Sequence, residues 1–234
     1  MVSKIILTSA ALAISGTMAF AGDYNDPPVD IPPTQPSLEY DWDGFFVGLS
    51  VGASKGTYET GVSSEDETGP DVDVDGGLYA LRFGYNKRSG NHVFGFDLDI
   101  GNGPNGITEQ GTTGDDWSCF TGDCNIDFKT LASLRGRYGV LISERTLAYG
   151  AAGIAFAKYE GGIEDSDQQG DSETTTGYTI GLGIEHKFSR ALSGFAEVNH
   201  YNLGDLEFGD DGSGNTFDGV GTFNAIRFGL NFSF

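Results

Sequence analysis

Ala225-Ile226-Arg227-Phe228-Gly229-Leu230-Asn231-Phe232-Ser233-Phe234 closes the chain in strict two-residue alternation. Ile226, Phe228, Leu230, Phe232 and Phe234 fall on one face, and Ala225, Arg227, Gly229, Asn231 and Ser233 on the other. Successive side chains of a strand point to opposite sides, so this segment has one face in an apolar medium and one in a polar medium. The pattern recurs upstream. Tyr178, Ile180, Leu182, Ile184 and Phe188 alternate with Thr179, Gly181, Gly183, Glu185 and Lys187, and Phe94, Phe96, Leu98 and Ile100 oppose Val93, Gly95, Asp97 and Asp99. In a soluble sandwich the apolar faces would meet inside. In a lipid-embedded barrel they point outward, and closure removes the sheet edges.

Working outward, eight such segments are legible, at 45–54, 77–85, 92–101, 128–140, 146–158, 177–188, 192–202 and 222–234. Each is close to the ~9–11 residues that a tilted membrane strand requires. Connections of roughly 20 residues follow every odd segment, and short turns (86–91, 141–145, 189–190) follow the second, fourth and sixth. Long loops at one end and tight turns at the other is the outer-membrane pattern, with the turns periplasmic and the loops external. The fold expected is therefore all-β: an eight-stranded antiparallel transmembrane β-barrel. Trp42, Phe45, Tyr85, Tyr138, Tyr201 and Phe234 stand near strand ends, where aromatic girdles are expected.

The bulk numbers agree. Gly (37) and Phe (17) are abundant, and mean hydropathy is −0.23 although no convincing helical periodicity is present. The N-terminus reads as an export signal: Lys4, an apolar stretch from Ile5 to Ile14, then Ala19-Phe20-Ala21, with cleavage expected after Ala21. That stretch is too short for a spanning helix. Residues 22–40, with Pro27, Pro28, Pro32, Pro33 and Pro36, read as an extended periplasmic tether, and residues 41–234 as the barrel. Cys119 and Cys124 are the only cysteines, so a small loop disulfide is favoured over a metal site.

Tyr40-Asp41-Trp42-Asp43-Gly44-Phe45-Phe46-Val47-Gly48 resembles the first strand of the small outer-membrane immunogenic proteins of alphaproteobacteria, a porin-like, opacity-protein-like family related to OmpA-type barrels. Leu134-Arg135-Gly136-Arg137-Tyr138-Gly139 and Leu147-Ala148-Tyr149-Gly150-Ala151-Ala152-Gly153-Ile154-Ala155 resemble its central hairpin, and Arg227–Phe234 its closing strand. The resemblance covers the strands but not the loops. It implies an abundant Gram-negative cell-envelope protein in the outer membrane, with no catalytic residues and no cofactor. Phe234, a terminal aromatic on the outward face, fits recognition by the barrel-assembly machinery.

With apolar faces outward, the opposite faces place Arg82, Arg135, Arg137, Lys187 and Arg227 in the lumen beside Asp97, Asp99, Glu185 and Glu197. An eight-stranded barrel is only wide enough for side chains to fill it, so these charges are expected to pair and plug the interior. A wet lumen with unpaired charges is the alternative. Of the 34 Asp and Glu, 23 fall in the four long connections, opposed only by Lys55 and Lys158. That acidic end would face lipopolysaccharide and outer-membrane lipid, and its carboxylates are candidates for divalent cations. Asp71, Asp73 and Asp75 have the spacing that opens a calcium loop, but Arg82 stands where the closing Glu belongs, so an EF-hand is rejected. The net charge of −21 argues against nucleic acid. His200, in Glu197-Val198-Asn199-His200-Tyr201-Asn202, has no adjoining nucleophile and Asn202 where a deacylase serine would stand, so no enzyme is expected. Three roles remain: a structural barrel presenting acidic loops, a narrow ion or small-solute channel, and a loop-mediated adhesin.

Overall fold

The computed structural model describes residues 40–62, 67–68, 72–108, 124–163, 173–210 and 216–234. The expected export signal and all of the expected Pro-rich tether except Tyr40 lie outside these residues, as do the middles of the acidic connections, 63–66, 69–71, 109–123, 164–172 and 211–215. Eight long strands form one closed antiparallel barrel: β1 (Gly44–Val62), β3 (Val72–Ser89), β4 (His92–Gly101), β6 (Cys124–Ser143), β7 (Thr146–Ile163), β8 (Glu173–Lys187), β9 (Leu192–Asp210) and β10 (Thr216–Ser233). Closure is made by β1, which pairs with β3 on one side and with β10 on the other, from Phe46 opposite Ser233 to Val62 opposite Phe217. Two short strands, β2 (Glu67–Thr68) and β5 (Asn105–Thr108), extend the ladder beside β1 and β3.

The turn end is tight. Ser89 pairs with His92 across Gly90-Asn91, where Gly90 takes φ +62°, a left-handed conformation that costs glycine nothing. Ser143 pairs with Thr146 across Glu144-Arg145.

The outward band has the polarity expected from the sequence. Among the described residues 28 large apolar side chains are exposed on the outside, including Phe94, Phe96, Leu98, Ile180, Leu182, Phe228, Leu230 and Phe232. A continuous apolar surface of that kind belongs against lipid.

Two expectations need correction. The strands run to 15–20 residues in seven of eight cases, so between about a third and three quarters of each expected long loop is strand. The expected polar lumen is also polar only in part. Toward the long connections the interior is an apolar core of Val74, Leu78, Ile126, Phe128, Leu131, Tyr159, Tyr201, Leu203 and Phe223, with small alanines between them. One physical reason covers both. Beyond the lipid band the ladder continues, but the outward positions meet water and the inward positions meet each other. The alternation therefore keeps its period and reverses its sense. On β3, Asp73 and Asp75 are exposed while Val74 between them is fully buried. The Asp spacing that resembled a calcium loop is, for this pair, one outer face of a strand. On β6 a bulge between Phe128 and Thr130 lets both Phe128 and Leu131 point inward.

Candidate functional site

The site is the filled interior, and it is layered. The middle layer joins β3, β4, β6, β7 and β9. Arg82 grips Asp99 with two parallel bonds (Nε–Oδ1 2.8 Å, Nη2–Oδ2 3.0 Å) and reaches Glu197 Oε1 at 3.0 Å. Arg135 donates to Asp97 Oδ1 (2.7 Å), Asp99 Oδ2 (2.8 Å), Glu197 Oε1 (2.8 Å) and Asn199 Oδ1 (2.8 Å). Tyr149 donates its hydroxyl to Glu197 Oε2 at 2.8 Å, and Asn199 Nδ2 donates to Glu197 Oε1 at 2.8 Å. Phe195 covers the Arg82 guanidinium, 4.1 Å from the ring centre. Arg227 stands at the margin, its Nη1 3.8 Å from Asp99 Oδ2. It lies against Gly52 of β1, where a Cβ would sit 3.0 Å from Arg227 Cγ and 2.1 Å from the Ile226 carbonyl oxygen. These are bidentate, charge-assisted bonds shielded from water, the form in which buried charges are tolerated.

Below it, toward the turns, Arg137 pairs with Glu185 and lies 3.8 Å over the Tyr149 ring. Glu185 also accepts from Ser193 Oγ and from Asn231 Nδ2 (3.1 Å). Lys187 closes this layer, donating at 3.4 Å to the Arg190 carbonyl and to Ser233 Oγ.

The turn end is sealed by residues that precede β1. Trp42 is 2 % exposed; its indole N–H donates to the Glu144 carbonyl at 3.0 Å, and Lys187 Nζ sits 5.0 Å from its ring centre. Arg145 stacks on Tyr40 at 4.6 Å. Asp43 accepts from Lys87 Nζ and from the Arg88 amide, which holds its carboxyl below the usual carboxylate range.

All nine lumen charges named from the sequence are buried, and the structure brings Arg82, Asp97, Asp99, Arg135, Glu197 and Arg227 into one network and Arg137, Glu185 and Lys187 into the next layer. Sequence reasoning missed Tyr149, Ser193, Asn199 and Asn231. Their only signal was inward parity on β7, β9 and β10. Trp42 and Tyr201, expected in outward girdles, are interior instead: Trp42 reaches back under the barrel from before β1, and Tyr201 stacks on Phe223 at 4.8 Å in the apolar core. Some buried polar atoms, including Asp97 Oδ2, Arg227 Nε and the Tyr201 hydroxyl, have no protein partner.

Phe234 is 74 % exposed on the outward face, and its amide donates to the Phe45 carbonyl at 3.0 Å. Cys119 lies outside the described residues, and with it the expected disulfide to Cys124, the first residue of β6. The histidines sit on the outside: His92 Nδ1 is 2.9 Å from the Tyr138 hydroxyl, His186 Nδ1 2.9 Å from Thr146 Oγ1 and His200 Nδ1 3.1 Å from Asn224 Oδ1. Among the described residues no group of His, Cys, Asp and Glu is arranged to hold a metal ion.

Known proteins share this architecture. The chain is 25 % identical to the 31 kDa outer-membrane immunogenic protein of Brucella melitensis, covering 99 % of this chain and 100 % of that one. It is 29 % identical to the 22 kDa outer membrane protein of Rhizobium leguminosarum, covering 82 % and 78 %. The crystal structure of the outer membrane protein OprG from Pseudomonas aeruginosa shares the fold at 13 % identity, with a TM-score of 0.52 over 82 % of this chain and 96 % of that one. The family model for the outer membrane protein beta-barrel domain matches residues 7–234, and the chain belongs to that family, as an outer-membrane protein.

Proposed function

We propose that the chain is a structural component of the outer membrane: a sealed barrel that occupies and stabilises the bilayer and presents four acidic connections at the cell surface. The observation that carries this reading is the burial of Arg82, Arg135, Glu197 and Asp97, at 0–2 % exposure, across the middle of the lumen. With an apolar core on one side of that layer and Trp42 on the other, three successive obstructions lie along the axis. A channel would need all three to yield. Ion pairs of this kind are costly to break, because one partner would be left charged in a dry interior.

A deletion strain tests the reading. Loss of the protein is expected to sensitise cells to chelators and detergents, and a barrel with all four connections shortened is expected to restore resistance. Restoration only by the full-length connections would instead place the role in the connections and favour the adhesin reading.

A further inference from the structure

The cations of the barrel are sorted by position. Five line the lumen, and Lys87, Arg88, Arg145 and Arg190 sit at the turn end, leaving Lys55, Lys129 and Lys158 on the outward surface at the opposite edge of the apolar band. Lys129 is held by Asp127 (3.0 Å) and Glu160 (3.3 Å). Lys55 has no ion-pair partner among the described residues.

Lys55 stands in a polar row across four strands. It pairs in register with exposed Asp75 on β3 and with Asn224 on β10, and Asn224 pairs with His200 on β9. The 3.1 Å contact between His200 Nδ1 and Asn224 Oδ1 engages the amide oxygen and leaves the Asn224 amide NH2 to donate elsewhere. Directly beneath runs a shallow apolar groove of about 620 Å³, following the register row Ala53, Ile226, Val198, Leu182. Ala53 creates the depression, its methyl group standing between Val51 and Lys55 on the same face.

We propose that this groove holds one phosphorylated acyl lipid of the outer leaflet, of the lipid A class, with its phosphate on Lys55 Nζ and the Asn224 amide and an acyl chain along Ala53, Ile226, Val198 and Leu182. Height supports this occupant. From Phe45 at the turn end, β1 presents five outward positions before Lys55, a span of about ten residues that matches the hydrocarbon thickness, so Lys55 stands where headgroup phosphates lie. Lys55 is the cation on offer there: it forms no ion pair among the described residues, although exposed Asp75 faces it across the β1–β3 ladder. An ammonium–phosphate bond at an apolar boundary is short and strong. The site lies on the outer face, so it stands or falls independently of whether the lumen conducts.

The test uses the mature barrel folded in detergent micelles and native mass spectrometry, with three probes: bisphosphorylated lipid A, the same lipid A dephosphorylated, and phosphatidylcholine. One bisphosphorylated lipid A is expected to be retained per barrel and the other two lost. Lys55→Gln is expected to weaken retention about tenfold, the loss of one charge-assisted contact. Ala53→Trp, which fills the groove, is expected to do the same, while Lys158→Gln leaves retention unchanged. Heat-modifiable migration verifies folding of each variant, and Ala53→Trp reads the same site should Lys55→Gln fail to close. Equal retention of the dephosphorylated lipid, equal weakening by Lys158→Gln, or full displacement by inorganic phosphate would each overturn the proposal.

Discussion

Arg135 shows how the interior is held. Its guanidinium meets three carboxylates, Asp97, Asp99 and Glu197, and the Asn199 side chain, so its loss strands negative charge in a dry layer. Arg135→Met is expected to destabilise the folded barrel by about 3–5 kcal/mol, read as a shift in the urea midpoint in micelles. A loss below about 1 kcal/mol would mean the layer is hydrated and weakly coupled. At this scale the sequence was informative about charges and silent about neutral partners. Arg82, Asp97 and Glu197 stand out as charges on the polar parity of apolar strands, where only pairing is tolerable. Tyr149 shares its inward face with Ala151 and Ala155. Nothing in that run says a hydroxyl is needed, because the need arises from Glu197 on a different strand.

Among elements, the strands β3, β6, β7, β9 and β10 each reverse polarity at the edge of the lipid band. Periodicity alone reads only the half in lipid, so ten-residue segments were legible and their continuations were not. Phe128 opens the fourth of those segments, where the bulge before Thr130 takes it out of parity with Arg135 and Arg137; it is 1 % exposed, packed against Tyr159 and Phe223 with ring centres 6.2 and 6.4 Å apart. Phe128→Ala is expected to cost about 3–5 kcal/mol in the same unfolding measurement, as for other buried phenylalanines. A polar, water-filled upper lumen would instead tolerate the change with little effect. The segment before β1 makes a different prediction. Asp43 titrates low because Lys87 and the Arg88 amide bind its charged form. A depressed carboxyl value adds stability above the unfolded-state pKa near ~3.9 and loses it as pH falls through the depressed value. In a Trp117→Phe background, quenching of Trp42 fluorescence by acrylamide is therefore expected to stay low at neutral pH. It should rise only below the ordinary carboxylate range, and Asp43→Asn should remove that acid step. Quenching already high at neutral pH would show that Trp42 does not seal the turn end.

For the whole molecule, the apolar surface is outside, the charges that need partners are within, and the excess acids fall in sequence between the strands. That plan was legible because closure forces each strand to have two unlike faces. What the sequence did not disclose was the apolar core above the salt-bridge layer, since Val74, Ile126, Tyr159 and Leu203 lie in the continuations and Leu78, Tyr201 and Phe223 share the parity of the lumen charges. On the proposed reading, arginine layer, apolar core and Trp42 seal together leave no aqueous path. Planar-bilayer recording of the folded barrel tests this most directly. A flat baseline at both polarities, with no sustained step, is the expected result; a steady, large single-channel conductance in the unmodified protein would contradict it.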